Sequence, residues 1–293
     1  MSVFFNLSIV TANFNYAHFL DKFFGSIMNS NVQPQEIIFV DDASTDNSIE
    51  KAKTWKNAIQ IPITIVENKS NIGFANCLNI GVSKAKGDLI LRIDSDDFLH
   101  PFRIEREKII FLKNPYIQVI GSNTYYFNDK RRRVVGQSHF PLTNKDIYNA
   151  LRKGFISMAN TSFTARKEVF ELFKYEQQFV PYEEYVIFSK MIKQNIQFIN
   201  LREPLTYYRV HNQNRSLNFI VNKQRGIRSQ RIGIWGEKTL LITMYYRSFS
   251  DYLYWKSLKS TTTLKHTFYK FIASLLKANR LLSRLFRRYH QSF

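Results

Sequence analysis

The sequence predicts an open α/β sheet with helices on its faces, and three observations predict it. Over the first hundred residues, short apolar runs rich in β-branched side chains alternate with stretches of helical length. Those runs are continuously apolar, as strands covered on both faces must be. Polar or acidic clusters also end each run, where ligands bind in such sheets.

The strands are "LSIVTA" (7–12), "EIIFVDD" (36–42), "ITIVEN" (63–68) and "DLILRID" (88–94). Helices are expected at about 16–30, 46–57 and 73–85, with Asp46 of "STDNS" as an N-cap and Gly87 in the turn that ends the third. Strand–helix–strand repetition implies parallel, right-handed βαβ units, so the sheet is expected to be mostly parallel. After residue 115 the rhythm changes. "IQVIGSNTYYFNDKRRRVVGQ" predicts a hairpin with a polar, basic, solvated turn at 129–134, and a helix follows near 143–153. "SMANTSFTARKEVFELF" predicts a strand and then a helix, 183–194 a helix, and "LTYYRVH" a strand. This α+β second half is expected to close over the first. No Pro/Gly/Ser-rich boundary or internal repeat interrupts the chain, so residues 1–220 are expected to form one domain and 221–293 a basic helical extension.

Composition narrows the function classes. With 293 residues, 44% hydrophobic and 22% charged, the chain is an ordinary globular one. No stretch approaches the roughly 20 apolar residues of a membrane span. "MSVFFNLSIVTANFN" is expected to be a first strand rather than a signal peptide, because it lacks a basic n-region. The single cysteine, Cys77, excludes an internal disulfide and a multi-cysteine metal site, and a reducing cytoplasmic address is the simplest expectation.

The acids at the strand ends carry the chemistry. In "RIDSDD" the carboxylates Asp94 and Asp96, one residue apart, can share a hard divalent cation, as Mg2+ or Mn2+ shares carboxylates with substrate phosphates. The same stretch can equally form a solvated turn in which Asp97 caps a helix starting near Pro101. In "VDDAS", Asp41 and Asp42 can accept hydrogen bonds from the imide of a base or from ribose hydroxyls. There is no G-x-G-x-x-G after the first strand and no G-x-x-x-x-G-K-[ST] anywhere, which excludes a dinucleotide cofactor site and a P-loop. A diphosphate here would therefore need a metal and nearby cations.

"TANFN", "VDDASTDNS", "NIGFANCLNIGVSKAKGD", "RIDSDDFLHP", "EEYVIF" and "YYRVH" follow one another in an order that resembles the family 2 inverting glycosyltransferases of GT-A fold. The resemblance runs from about residue 7 to residue 216, some three-quarters of the chain. It implies transfer of a sugar, hexosyl or N-acetylhexosaminyl, from a nucleotide-diphosphate donor, most often a uridine one, with Mn2+ or Mg2+. By position it implies that Phe14 packs against the base near Ala12, that Asp42 contacts the base and that Asp41 supports its loop. Asn71 and Gly73 shape the adjoining donor loop, Asp96 ligates the metal, and Asp94 faces ribose or metal-bound water. Glu184 stands where the family usually has an aspartate as general base, one methylene longer, with Glu183 the second candidate. Paired acids at a helix start also simply favour the positive end of its dipole. Arg209 and His211 fall in a late segment that folds over the diphosphate, where each can contact phosphate or metal.

The formal net charge of +19 is uneven. Residues 225–293 hold 14 Lys and Arg against Glu237 and Asp251, whereas residues 1–224 hold 28 against 21. From Leu264 to Tyr289, apolar residues including Phe268, Phe271, Ile272, Leu275 and Leu276 recur at three and four, with Lys270, Lys277, Arg280, Arg284, Arg287 and Arg288 opposite. Such a basic, aromatic-rich amphipathic helix is expected to lie on an anionic membrane, and the alternative is packing on the catalytic domain. The expected whole is an enzyme of surface-polysaccharide or lipooligosaccharide synthesis, peripheral at the inner face of the cell membrane, acting on a glycan or lipid-linked acceptor, with no nucleic-acid partner. A nucleotidyltransferase is the competing enzyme reading, but it would want a glycine-rich basic loop where "TANFNYAHF" stands. A non-catalytic membrane- or RNA-binding module is the other, and the intact Asp94, Asp96 and Glu184 argue against it.

Overall fold

The computed structural model describes residues 5–159, 161, 163–214, 220–236, 253, 257–258 and 265–274. By packing, the chain divides into two compact units, Met1–Tyr126 with Gln137–Arg209, and Phe127–Gly136 with Val210–Phe293.

The first unit is built on a mixed sheet. Strands β1 (Leu7–Asn13), β2 (Glu36–Asp41), β3 (Ile63–Glu67) and β4 (Leu89–Arg92) are parallel, in the order β3-β2-β1-β4. Between them run α1 (Ala17–Met28), α2 (Ser48–Ala58) and α3 (Phe74–Lys84). Strands β1, β2 and β4 are buried at every position, and each face has its own cover. Ile9, Ile37, Phe39 and Leu91 meet Leu20, Phe23, Phe24 and Ile27 of α1, a cluster worth about 2 kcal/mol per fully buried large side chain. The alternate residues face α3, which approaches so closely that a Cβ on Gly81 would sit 2.5 Å from Val10. Asn47 occupies the cap position of α2, but Asp46 makes the bonds, accepting from the Ser48 amide at 3.0 Å and from the Ala17 amide of α1 at 2.9 Å.

The second half differs from expectation. Its strands extend the same sheet instead of closing over it: β8 (Phe163–Arg166) joins β4 antiparallel, and β6 (Val119–Asn128), β9 (Phe198–Val210) and β5 (Phe98–Leu99) follow. The sheet is thus parallel only in its first four strands, because only there do helical crossovers return the chain to the same edge. Strand β7 (Arg133–Gln137) completes the hairpin with β6. Helices α4 (Arg103–Lys113), α5 (Asn144–Arg152), α6 (Lys167–Leu172) and α7 (Glu183–Lys193) complete this half. Asp97 does not cap α4, whose cap position is Phe102 and which receives no side-chain cap. What fixes α4 is a buried ion pair, Arg103 to Glu107 at 2.7 Å, both 0% exposed. Arg103 also donates to Ser122 and Thr206, and Glu107 accepts from Thr164, so one pair ties the helix to β6, β9 and β8.

In the second unit the hairpin turn, α8 (Ile220–Trp235) and a helical segment at 265–274 are described. The rest of the predicted tail helix, residue 264 and residues 275–289, lies outside the described residues. Among the described residues no helix is long and apolar enough to cross a membrane.

Candidate active site

Three strand ends converge. Strand β1 lies between β2 and β4 and pairs with β2 through Asn13 and Asp41, so the loops leaving all three strands adjoin. Asp41, 1% exposed, is fully used in shaping this edge. Its carboxylate accepts from the Asn13 amide at 2.8 Å and from the Ser44 backbone and hydroxyl at 2.8 and 2.7 Å. Asp42 faces the loop before α3, accepting from the Ile72 amide at 2.8 Å, the Gly73 amide at 2.9 Å and Asn68 at 3.2 Å. Gly73 can hold this shape because its φ is +92° and because a Cβ would run into Gln177. Gln177 in turn accepts from the Ala75 amide at 3.0 Å, so the first turn of α3 is closed by Asp42 and Gln177 together. Asn71 is exposed and bonds the Asp42 carbonyl at 3.4 Å, while Ala12 is buried and Phe14 half-buried at the end of β1.

At the end of β4, Asp94, Asp96 and Asp97 form the cluster, with carboxylate oxygens all within 4.8 Å of one another. The turn is set by the Asp97 amide donating to the Asp94 carbonyl at 3.1 Å. Asp97 is wholly buried, with Oδ1 accepting from the Arg209 amide at 2.7 Å and Oδ2 without a hydrogen-bond partner among the described residues. Burial, and then the charges of Asp96 and Asp94, push its pKa well above the usual carboxylate range, against smaller lowerings by the Arg209 amide and the Thr161 hydroxyl. An all-oxygen donor set of crowded carboxylates, with one oxygen buried and unsatisfied, fits a hard divalent cation, which would relieve both the repulsion and the orphaned lone pairs.

Arg209, buried on β9, braces the cluster from behind. Its Nε donates to the Asp96 carbonyl at 2.6 Å, and its guanidinium lies 4.5 Å from the Phe19 ring centroid and 5.4 Å from that of Phe98. His211 belongs to the second unit. It is buried, its amide donates to Asn214 at 2.6 Å, and its Nδ1 accepts from the Gln213 amide at 3.2 Å.

Sequence reasoning missed the group that links the acids. Arg92, the last residue of β4, is 1% exposed and pairs with Asp94 at 2.5 Å. Its guanidinium lies 4.8 Å from the Phe74 ring centroid. Burial works against its charge, but the carboxylates of Asp94 and Glu183 outweigh that and hold it protonated. Tyr175 is kept neutral mainly by burial, and Arg92, Glu183, Asp94 and Glu184 all act on it. Glu183 and Glu184, both buried in the first turn of α7, therefore share one electrostatic neighbourhood with the acid cluster. The signal was in view: an arginine inside the apolar run "LILRID" needs acids around it. Cys77 takes no part as a nucleophile, since burial and then Asp42 push its thiol up to about 12.

Known proteins share this arrangement of sequence. The family model described as glycosyl transferase family 2 matches residues 8–173. The chain belongs to that family. Among similar proteins, an uncharacterized glycosyltransferase of Haemophilus influenzae is 27% identical over 219 residues, covering 70% of this chain and 65% of that protein. The chain thus spans just under two-thirds of that relative. A cholesterol galactosyltransferase of Borreliella burgdorferi is 25% identical over 278 residues, covering 87% of this chain and 76% of that one. Among solved structures, the mannosyltransferase PcManGT of Pyrobaculum calidifontis in complex with GDP-Man and Mn2+ has a TM-score of 0.60 at 16% identity, covering 98% of this chain and 82% of that one. TarS 1–349 of S. aureus in complex with UDP-GlcNAc has a TM-score of 0.58 at 14% identity, covering 97% and 92%. At these identities the likeness shows the fold, the GT-A α/β sheet that the sequence predicts.

Proposed function

We propose that this family 2 chain transfers a sugar, with inversion, from a nucleotide-diphosphate donor to a glycan or lipid-linked acceptor in surface-polysaccharide or lipooligosaccharide synthesis. The observation that carries the reading is the Asp94–Asp96–Asp97 cluster beyond β4, with Asp41 and Asp42 at the neighbouring strand end. A donor of the uridine type is the expectation from the motifs. TarS binds UDP-GlcNAc and the Pyrobaculum enzyme GDP-Man, so both are diphosphate donors with different bases. Here Phe14 packs on the base beside Ala12. Asp42, whose carboxylate takes the Gly73 amide on Oδ2, would also accept an imide N–H of the base. Asn71 and Gly73 line the loop that the donor crosses.

Asp96 and Asp94 would hold Mn2+ or Mg2+ with Asp97 behind them, and the cation would supply electrostatic stabilisation of the departing diphosphate. Arg209 keeps Asp96 in place from the backbone side. His211 keeps the role implied by the resemblance, contact with phosphate or metal. Glu184 removes the proton of the acceptor hydroxyl, which attacks the anomeric carbon opposite the leaving group, and Glu183 stands second for the same task. Residues 264–289 hold the chain peripherally on an anionic membrane, on the cytoplasmic side.

Donor hydrolysis and transfer across a panel of nucleotide sugars, with wild type and Glu184→Gln side by side, tests this. Glu184→Gln should lower kcat by roughly 10²–10⁴-fold while leaving donor affinity in the presence of Mn2+ unchanged. Full transfer activity in Glu184→Gln would remove Glu184 from the mechanism. A wild type that binds no nucleotide sugar with or without Mn2+ would remove the enzyme reading itself.

A further inference from the structure

One short segment of chain touches both α3 and α7. Residues 175–179 run between α6 and α7, and Gln177–Phe179 form a single 3-10 turn there. On one side the segment is fastened to α3. Asn79 donates its side-chain amide to the Tyr175 carbonyl at 2.8 Å and accepts from the Tyr175 backbone amide at 3.0 Å, much as a neighbouring strand would. Gln177 Oε1 then accepts from the Ala75 amide at 3.0 Å. The carboxamide carbon, nitrogen and oxygen of Gln177 stand 2.4–2.5 Å from where a Cβ on Gly73 would be, so the two residues fit each other only because one is glycine.

On the other side the segment is fastened to α7. Glu176 pairs with Lys190, whose ammonium lies 5.4 Å from the Phe179 ring centroid. The Phe179 carbonyl accepts from the Tyr182 amide at 2.6 Å, and Tyr182 holds the cap position immediately before Glu183 and Glu184.

The first turn of a helix leaves backbone N–H groups without partners, and a local serine, threonine or aspartate ordinarily accepts from one of them. Helix α3 has Gly73 at its cap position and no side-chain cap there. Its acceptors come from Asp42, which takes the Ile72 and Gly73 amides, and from Gln177, more than a hundred positions away in sequence. A local cap would serve the stability of α3 equally well. A cap carried by this segment also ties the start of α3 to the chain that leads into α7.

We propose that Gln177 is a positioning residue for sugar transfer: by capping α3 from the segment that enters α7, it holds the Asp42–Gly73 loop and Glu184 at one fixed spacing. This role rests on the donor-loop and general-base assignments proposed above, and in it Gln177 touches no reacting atom.

Q177L and Q177E, compared with wild type, test it by steady-state transfer, titration with UDP in the presence of Mn2+, and thermal unfolding. Leucine removes the acceptor and keeps the bulk, whereas glutamate keeps the acceptor, which the positive end of α3 favours. Gln177 is exposed, so both variants should melt close to wild type. Loss of one hydrogen bond should weaken UDP binding and raise the donor KM by roughly threefold to tenfold in Q177L. Displacement of Glu184 should also lower kcat, on the order of tenfold to a hundredfold. Q177E should recover most of both losses. Wild-type kcat and KM in Q177L would overturn the role, and so would equal losses in Q177L and Q177E, since the acceptor would then not matter. A Q177L protein that melts lower with unchanged kinetics makes Gln177 a structural cap and nothing more. A wild type that transfers sugar from no donor on the panel removes this role together with the reading beneath it, whereas an active wild type with an unaffected Q177L removes this role alone.

Discussion

Asp96→Asn should make the metal-free protein more stable and should abolish its response to manganese. The carboxylate oxygens of Asp94, Asp96 and Asp97 lie within 4.8 Å of one another. At an effective dielectric of 20, two unit charges at that limit repel by about 3.5 kcal/mol. Asp97 is driven toward its neutral form by burial and by Asp96 and Asp94, so the repulsion that persists near neutral pH is mainly between Asp94 and Asp96. Arg92 already offsets part of it through Asp94, which is itself partly exposed, its side chain at 28%. A net gain of about 1–3 kcal/mol follows for the amide, or roughly 3–10 °C in melting temperature for a chain of this size. The assay is thermal unfolding in EDTA and again with added Mn2+. Wild type should rise with Mn2+, because a ligand that binds only the folded state stabilises it by mass action. The variant should start higher and stay there. An Asp96→Asn protein that melts lower in EDTA, yet gains as much as wild type from Mn2+, would refute both the repulsion and the ligand assignment.

Two further outcomes follow from buried charge. The folded-state pKa of Asp97 is raised above its ordinary 3.8, so its contribution to stability is complete below that value and is lost as pH rises through the folded pKa. Urea midpoints of the metal-free protein should therefore fall as pH rises from about 4 toward neutrality, and Asp97→Asn should flatten that slope. Arg103→Met leaves Glu107 buried without its cation and should cost about 3–5 kcal/mol by denaturant titration, whereas Arg103→Met/Glu107→Leu should recover most of the loss. A double variant no better than the single one would mean that the hydrogen bonds to Ser122, Thr206 and Thr164 carry the stability.

The parallel half of the fold was legible because burial on both faces writes itself into composition. The runs at 7–12, 36–42, 63–68 and 88–94 became β1 to β4, and the helices between them fell within about three residues of their expected ends. The second half was not legible to the same degree. Strand β5 has two residues, too few to show a period, and its partners Tyr207 and Thr206 lie more than a hundred positions away. Nothing in a local window tells a strand that extends a sheet from one that packs over it. The acids at the end of β4 were visible for the opposite reason, since their crowding is local. Asp97 was misplaced as a cap because its real partner, the Arg209 amide, comes from β9.

Arg92 shows why that local view falls short. A strand selected only for burial would not carry a guanidinium at 1% exposure whose Nε and Nη1 have no hydrogen-bond partner among the described residues. Each buried donor left unsatisfied costs about 1–3 kcal/mol, so the arginine is a liability to the sheet taken by itself. It becomes tolerable only because Asp94 is beside it and the first turn of α7 brings Glu183 and Glu184 into its field. The dependence runs the other way too. Two buried glutamates and three crowded aspartates are negative charge that a cation inside the fold offsets. The strand end and the helix start, about ninety residues apart, are therefore one electrostatic unit, in which Arg92 faces both sets of acids from inside the fold while a cation at the aspartates would face them in front.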